Sequence, residues 1–413
     1  MRRRVLVLVA VVALLGSLVG AGAYVRTPGR PAGPVVSPPQ YEEPADNGWA
    51  ALVEAAEASN ARGREIALAE ARLWDEDSPE AQRLVQAAAG DIAAARAALA
   101  KECLQPRPVD SGPGHPQLYH LRVLARLLLV AGRERERRGD ADGAAALYGD
   151  VLRLTTAMGR NGFLVQGIAA VAMSHTAAPN LERCVGSGRM TAAGLRRLAS
   201  ELERAVAQGV RLEDAMAVEY TVQRQYLEDA AAGGQPPGRP GLPGLPARVF
   251  VIGPALREAD RNIGPLLEAL RKPYWQPIGS VPVYTTALGQ MMYPDPDRLR
   301  RMWAWRDAVL RGLQVHVACQ RHLLRQGAVP VALDSIPSDL LPEPPVDPFD
   351  GKPFKYRVEG HSYVLYSVAE DRQDDGGRGR FDENAKRGDL ILWPWGPLSK
   401  PRPRRPAAPP QSP

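Results

Sequence analysis

Between residues 46 and 271 apolar side chains recur at steps of three and four, and near the C-terminus the pattern changes to alternation. The first pattern predicts amphipathic helices, the second a small antiparallel sheet. Ser78-Pro79-Glu80 reads as a helix start, a capping hydroxyl followed by proline in the first turn, and Leu84, Val85, Ala88, Ile92 and Leu99 form one stripe behind it. Further helices are expected over 121–137 and 142–156, separated at Gly139-Asp140, and then over 163–173, 191–208 and 248–271. A long helix over 297–326 places Leu299, Met302, Trp303, Leu310, Leu313, Val317 and Leu324 on one face, which is expected to cover the sheet. In the sheet, Phe354, Tyr356 and Val358 alternate with Lys355 and Arg357; the chain turns over 359–362, returns over 363–367, and adds a third strand over 390–393.

Punctuation divides this pattern, since 39 Gly and 39 Pro in 413 residues leave part of the chain as linker. In residues 1–25, Arg2, Arg3 and Arg4 precede about twenty residues without a charge, long enough to span a bilayer. The basic flank predicts a single pass of a bacterial inner membrane, N-terminus in the cytoplasm and the bulk outside. An uncleaved anchor competes with a signal peptide cut after Ala21-Gly22-Ala23, which would leave a periplasmic or secreted protein. Residues 26–45 read as a Pro-rich spacer and 46–272 as an α-helical domain with a Pro/Gly-rich break at 233–247. Residues 273–296 read as a connecting segment across the surface, 297–396 as a small α+β module, and 397–413 as a disordered basic tail. The fold class expected is multidomain: membrane segment, mainly α-helical domain, then a long helix with a three-stranded antiparallel sheet. Helices 121–137 and 142–156 look like one tetratricopeptide-type hairpin, but a solenoid needs about three repeats and one good copy is present.

Charge and cysteine content narrow the function classes. The net charge of +6 is carried partly by the ends and no basic stripe interleaves with aromatics, so no nucleic-acid partner is expected. Cys103, Cys184 and Cys319 are too few and scattered for a disulfide framework; Cys103 and Cys184 read equally as one bridge or as two buried thiols. No G-x-S-x-G elbow, phosphate-binding glycine loop or H-E-x-x-H is present. His316, Cys319 and His322 invite a metal reading, but at ~100° per residue the two histidines sit about 120° apart around the helix. A half-buried polar edge is the reading preferred there.

The stretch 370–389 is acidic and longer than a simple turn requires. Asp371, Asp374, Asp375, Asp382, Glu383 and Asp389 are hard oxygen donors of the kind calcium takes six to eight at a time, and the plain alternative is a solvated loop. Ahead of it, Asp347-Pro348 and Asp350-Gly351 are turn chemistry. Gly327 with Pro330, Asp347-Pro348-Phe349, Gly351, Pro353, Tyr356, Tyr366-Ser367, Asp371 and Asp389-Leu390 follow one another in an order and spacing that resemble the C-terminal domain of the major pseudopilins of type II secretion systems. The resemblance covers about a hundred residues, from Asp297 to Trp393. It implies a calcium-binding loop at Ser367, Asp371 and Asp389, and this sequence adds Asp374 and Asp375. Ala369 and Arg372 stand where that family has glycines, and Arg378, Arg380 and Arg387 add positive charge. Nothing in residues 1–25 matches the pseudopilin leader, so assembly into a pilus is not expected.

The expectation is a membrane-anchored, extracytoplasmic structural or interaction protein with an envelope protein partner and calcium as its possible ligand. Two alternatives stand beside it: an exported hydrolase with a carboxylate site between helical domain and acidic loop, and an accessory part of a secretion apparatus.

Overall fold

The structure, a computed structural model, describes residues 34–72, 78–107, 116–232, 252–378, 381–382 and 385–394. The expected membrane segment, the break at 233–247 and the C-terminal tail lie outside the described residues. Among these, no helix is long and apolar enough to cross a membrane. Twelve helices are described: α1 (Trp49–Asn60), α2 (Gly63–Ala71), α3 (Pro79–Ala87), α4 (Ala89–Leu99), α5 (Pro116–Arg137), α6 (Ala141–Gly159), α7 (Leu164–Gly186), α8 (Ala192–Ala207), α9 (Leu212–Ala232), α10 (Gly253–Arg271), α11 (Ala287–Met292) and α12 (Pro296–Gln326). Strands β1 (Lys355–Glu359), β2 (Ser362–Ser367) and β3 (Leu390–Trp393) follow.

Local chemistry sets many of these ends. Ser78, Asp140 and Thr191 each accept a hydrogen bond from a backbone N–H three residues on, at the starts of α3, α6 and α8. α12 opens on Asp295-Pro296 and closes on Gly327 at φ 73°, the left-handed cap only glycine adopts freely. The stripe expected behind Ser78 spans two cores, Leu84 and Ala88 in one and Leu99 in the other with Val85 and Ile92 against both, and the helix is broken into α3 and α4 at Ala88 (φ −96°, ψ 10°). α7 runs well beyond the expected end near residue 173 and continues through Pro179. Burial of Ala177, Ala178, Leu181, Cys184 and Val185 outweighs the backbone bond that proline forfeits.

The closest packing is of neighbours, α6 on α7 and α5 on α6, but α1 lies against α5 and α4, α2 against α5, and α6 against α8, while α9 pairs with α10. The long α12 is laid against α7 and α8. Here the expected packing is reversed. Leu299, Trp303, Leu310, Leu313 and Val317, the face assigned to the sheet, enter the main helical core, while Leu324 at its end is 54% exposed. The sheet rests on a second stripe, Ala304, Ala308, Val315, Ala318 and Cys319, joined by Phe349, Phe354, Tyr363, Leu365 and Leu392. Large side chains fill the space between helices, whereas small ones let a sheet come close. A Cβ on Gly312 would lie 2.7 Å from Leu392 Cδ1.

The strand order is β1-β2-β3, antiparallel throughout, with Lys355 opposite Tyr366 and Glu359 opposite Ser362, and an irregularity between Leu365 and Tyr366. Tyr363 to Tyr366 are buried on both faces of the central strand. Two further expectations change. Residues 273–296 do not simply lie on the surface: Tyr284 and Tyr293 stack at 4.2 Å within the main core, and Glu258 holds the Thr285-Thr286 turn through both residues' backbone N–H and hydroxyl groups. The described part of the proline-rich spacer is a strap along α9 rather than a free tether. The Val35 N–H donates to Tyr220 at 3.1 Å and the Tyr41 hydroxyl to Asp214 at 3.3 Å, while Arg160 lies over the Tyr41 ring.

Candidate functional site

The acidic loop begins where β2 ends, and its first anchor is Asp347, which the sequence marks as a turn and motif residue but not as a ligand candidate. The carboxylate is almost wholly buried. Its oxygens accept the Phe349 N–H at 2.9 Å and the Val368 N–H at 3.1 Å. Burial raises its pKa, and the Ser367 hydroxyl is among the donors that oppose the rise. Ser367 is therefore committed to Asp347 and to the Ala369 N–H that it accepts at 3.1 Å.

Beyond Ser367 the backbone turns through left-handed conformations at Ala369 (φ 53°) and Arg372 (φ 57°). These are the two positions where the resembled family has glycine. A side chain there costs on the order of 1 kcal/mol or more, so the loop path is kept against local preference and must be held by its contacts. Asp371 accepts the Gln373 N–H at 3.1 Å and, across the loop, the Gly388 N–H at 3.0 Å. Asp374 Oδ1 accepts the Tyr366 hydroxyl at 2.8 Å and the Gly376 N–H at 2.9 Å. Burial opposes ionisation of Asp374, but these donors outweigh it and the pKa is lowered.

Asp389 sits at the base of the loop, fully buried. Its Oδ2 accepts the Gly377 N–H at 2.8 Å, whereas Oδ1 is buried without a hydrogen-bond partner. Burial pushes its carboxyl pKa up; backbone N–H groups oppose the shift, and the charges of Asp374 and Asp375 reinforce it. The fold thus brings Asp374, Asp375 and Asp389 into mutual influence and leaves Ser367 facing Asp347 and Asp371 facing Gly388. Among the described residues no three His, Cys, Asp or Glu side chains converge as a ready-made metal cluster. What a cation could meet is the orphaned Asp389 oxygen, which feels the charges of Asp374 and Asp375 although the three carboxylates do not converge on one point.

Among the described residues the cations paired with a loop carboxylate are Arg301 and Lys386, both on Glu370, which also accepts the Trp305 indole N–H at 2.8 Å. Arg372 points away, donating to the Tyr274 and Trp275 carbonyls.

The other candidates resolve as structure. Fully buried His316 shares a hydrogen bond with the Tyr363 hydroxyl and stacks on Trp393 at 4.1 Å; burial lowers its pKa to about 3, so it is neutral. Half-buried His322 faces the Ala328 carbonyl, and the two histidines do not share a ligand. Cys103, Cys184 and Cys319 are all free and buried. A cleft of about 560 Å³ between α4, α6 and α8 contains Asp150, whose pKa is raised by burial. Its two oxygens are held by Arg96 at 2.8 Å and Arg153 at 3.3 Å, so it is not presented to a substrate. No family model, curated protein or solved structure matches this chain.

Proposed function

We propose that the chain is a non-enzymatic envelope protein, anchored by residues 1–25, whose helical body carries a cation-stabilised docking module outside the membrane. Calcium is the ligand proposed, with Asp389, Asp374 and Asp375 as the charged donors and Asp371 recruited from the loop; Ser367 supports the site through Asp347. The observation that carries this reading is the buried, partnerless Oδ1 of Asp389, within electrostatic reach of Asp374 and Asp375. A bound divalent ion would supply the missing positive charge and join the ends of β2 and β3. The partner is an envelope protein, and a part in a secretion apparatus remains a proposal by resemblance.

The test is thermal melting of the full chain in calcium and in chelator. Binding to the folded state alone stabilises by RT ln(1 + [L]/Kd), about 2.7 kcal/mol at a hundred-fold excess over Kd. The melting temperature is expected to rise with calcium, Asp389→Asn to remove the response, and Asp382→Ala to keep most of it. A wild-type melt indifferent to both calcium and chelator would refute the metal reading.

A further inference from the structure

Five consecutive backbone carbonyls, from Lys272 to Gln276, are held by two arginines, one from α12 and one from the acidic loop. Arg300 on α12, 5% exposed, donates to Lys272 O at 3.3 Å, Pro273 O at 2.8 Å and Gln276 O at 3.1 Å. Arg372 in the acidic loop takes the two between them, Tyr274 O at 3.1 Å and Trp275 O at 3.3 Å. The two guanidinium groups lie 5.5 and 5.8 Å from the Tyr274 ring centre. The Tyr274 ring meets Phe349 edge-on at 5.4 Å. Trp275 covers Gly351, where a Cβ would come within 2.9 Å of the indole. The segment joining α10 to α11 is therefore clasped between the helical body and the sheet's loops, and the loop's share of the clasp is one side chain.

That side chain is next in sequence to Asp371, and it stands on a backbone at φ 57° that glycine would adopt more easily. Asp371 spends both oxygens on the N–H groups of Gln373 and Gly388, so turning either oxygen towards a cation re-sets the loop on both sides of Arg372. We infer that Arg372 is a positioning residue that transmits cation binding in the acidic loop to the 272–276 segment of the helical body. This rests on the calcium reading above. A loop already ordered by a cation clasps the segment at less entropic cost, and by reciprocity the clasp raises the loop's affinity for the cation.

The experiment is hydrogen–deuterium exchange of the full chain, with calcium and with chelator, following peptides over 368–389 and 270–284, together with calcium titration calorimetry. In the wild type calcium should slow exchange in both peptides. In Arg372→Gln the loop peptide should still respond, the 270–284 peptide should not, and calcium should bind several-fold more weakly; Arg372→Lys should restore part of the coupling. An equal response of 270–284 in wild type and Arg372→Gln would overturn the inference, as would a wild-type loop that responds while 270–284 does not. If the wild-type loop itself is unresponsive, the calcium reading has failed and the transmission falls with it; the loop peptide tells the two failures apart.

Discussion

At Asp389 the proposed cation would compete with a proton for one oxygen, and the sign of the pH dependence follows from the proton. Its native pKa is raised above the unfolded value by burial and by Asp374 and Asp375, so its stabilising contribution is complete below the unfolded pKa of about 3.9 and is lost as pH rises through the native one. Asp347, also raised by burial, acts in the same direction. In chelator, Asp389→Asn should therefore stabilise the protein at pH 7, and the gain should shrink on acidification through the raised native pKa, as read from urea midpoints against pH. Glu258 has the opposite sign. Burial opposes its ionisation, but four donors from Thr285 and Thr286 bring its pKa down to about 2, so its contribution is present above about pH 4.3 and fades as pH falls towards 2. Glu258→Gln should cost up to about 3 kcal/mol at pH 7, and its deficit should narrow below pH 4. A deficit constant with pH would mean that shape rather than charge holds the Thr285-Thr286 turn.

At the scale of elements, α12 is the piece on which both cores depend. The segment 296–394 taken alone would expose Leu299, Trp303, Leu310, Leu313 and Val317, all of them in the helical core of the intact chain. It should lack a cooperative melt by circular dichroism; a sharp transition would show that the sheet stripe suffices. Gly312→Val, pressed against Leu392, should destabilise the whole protein by about 1–3 kcal/mol. Helix positions were legible because caps such as Ser78 and Thr191 and the three-four spacing are local signals, and the three strands were legible from alternation. The role of each face of α12 was not, because hydropathy finds large apolar residues and passes over Ala304, Ala308 and Gly312, whose value is their small size. The candidate site was legible as composition only. Asp389 and Asp374 could be named in advance, but the commitment of Ser367 to Asp347, and of Arg372 to carbonyls about a hundred residues away in sequence, is set by tertiary packing.

For the whole molecule the strap fixes an orientation. Val35 is bonded to Tyr220 and Tyr41 to Asp214, both on α9, and Val36 packs against the main core. If residues 1–25 cross the bilayer as proposed, the roughly ten residues between the span and Val35 reach at most about 35 Å. The α9 flank is then kept within that distance of the membrane, and the acidic loop is presented from a body held near the surface. The native thiols leave room for a direct test, since burial pushes Cys103 up to about 11, Cys319 up to about 12 and Cys184 higher still, so all three should resist labelling. A dye on Gln225→Cys, at an exposed position of α9, should transfer energy to acceptor lipids in proteoliposomes. Deleting residues 34–44 while keeping the span and replacing them with a glycine-serine run of equal length should weaken that transfer and lower the melting temperature, because the hydrogen bonds to Tyr220 and Asp214 go with the strap. Unchanged transfer after the replacement would mean that something other than the strap orients the body, and no transfer in the unreplaced chain would remove the anchored orientation altogether.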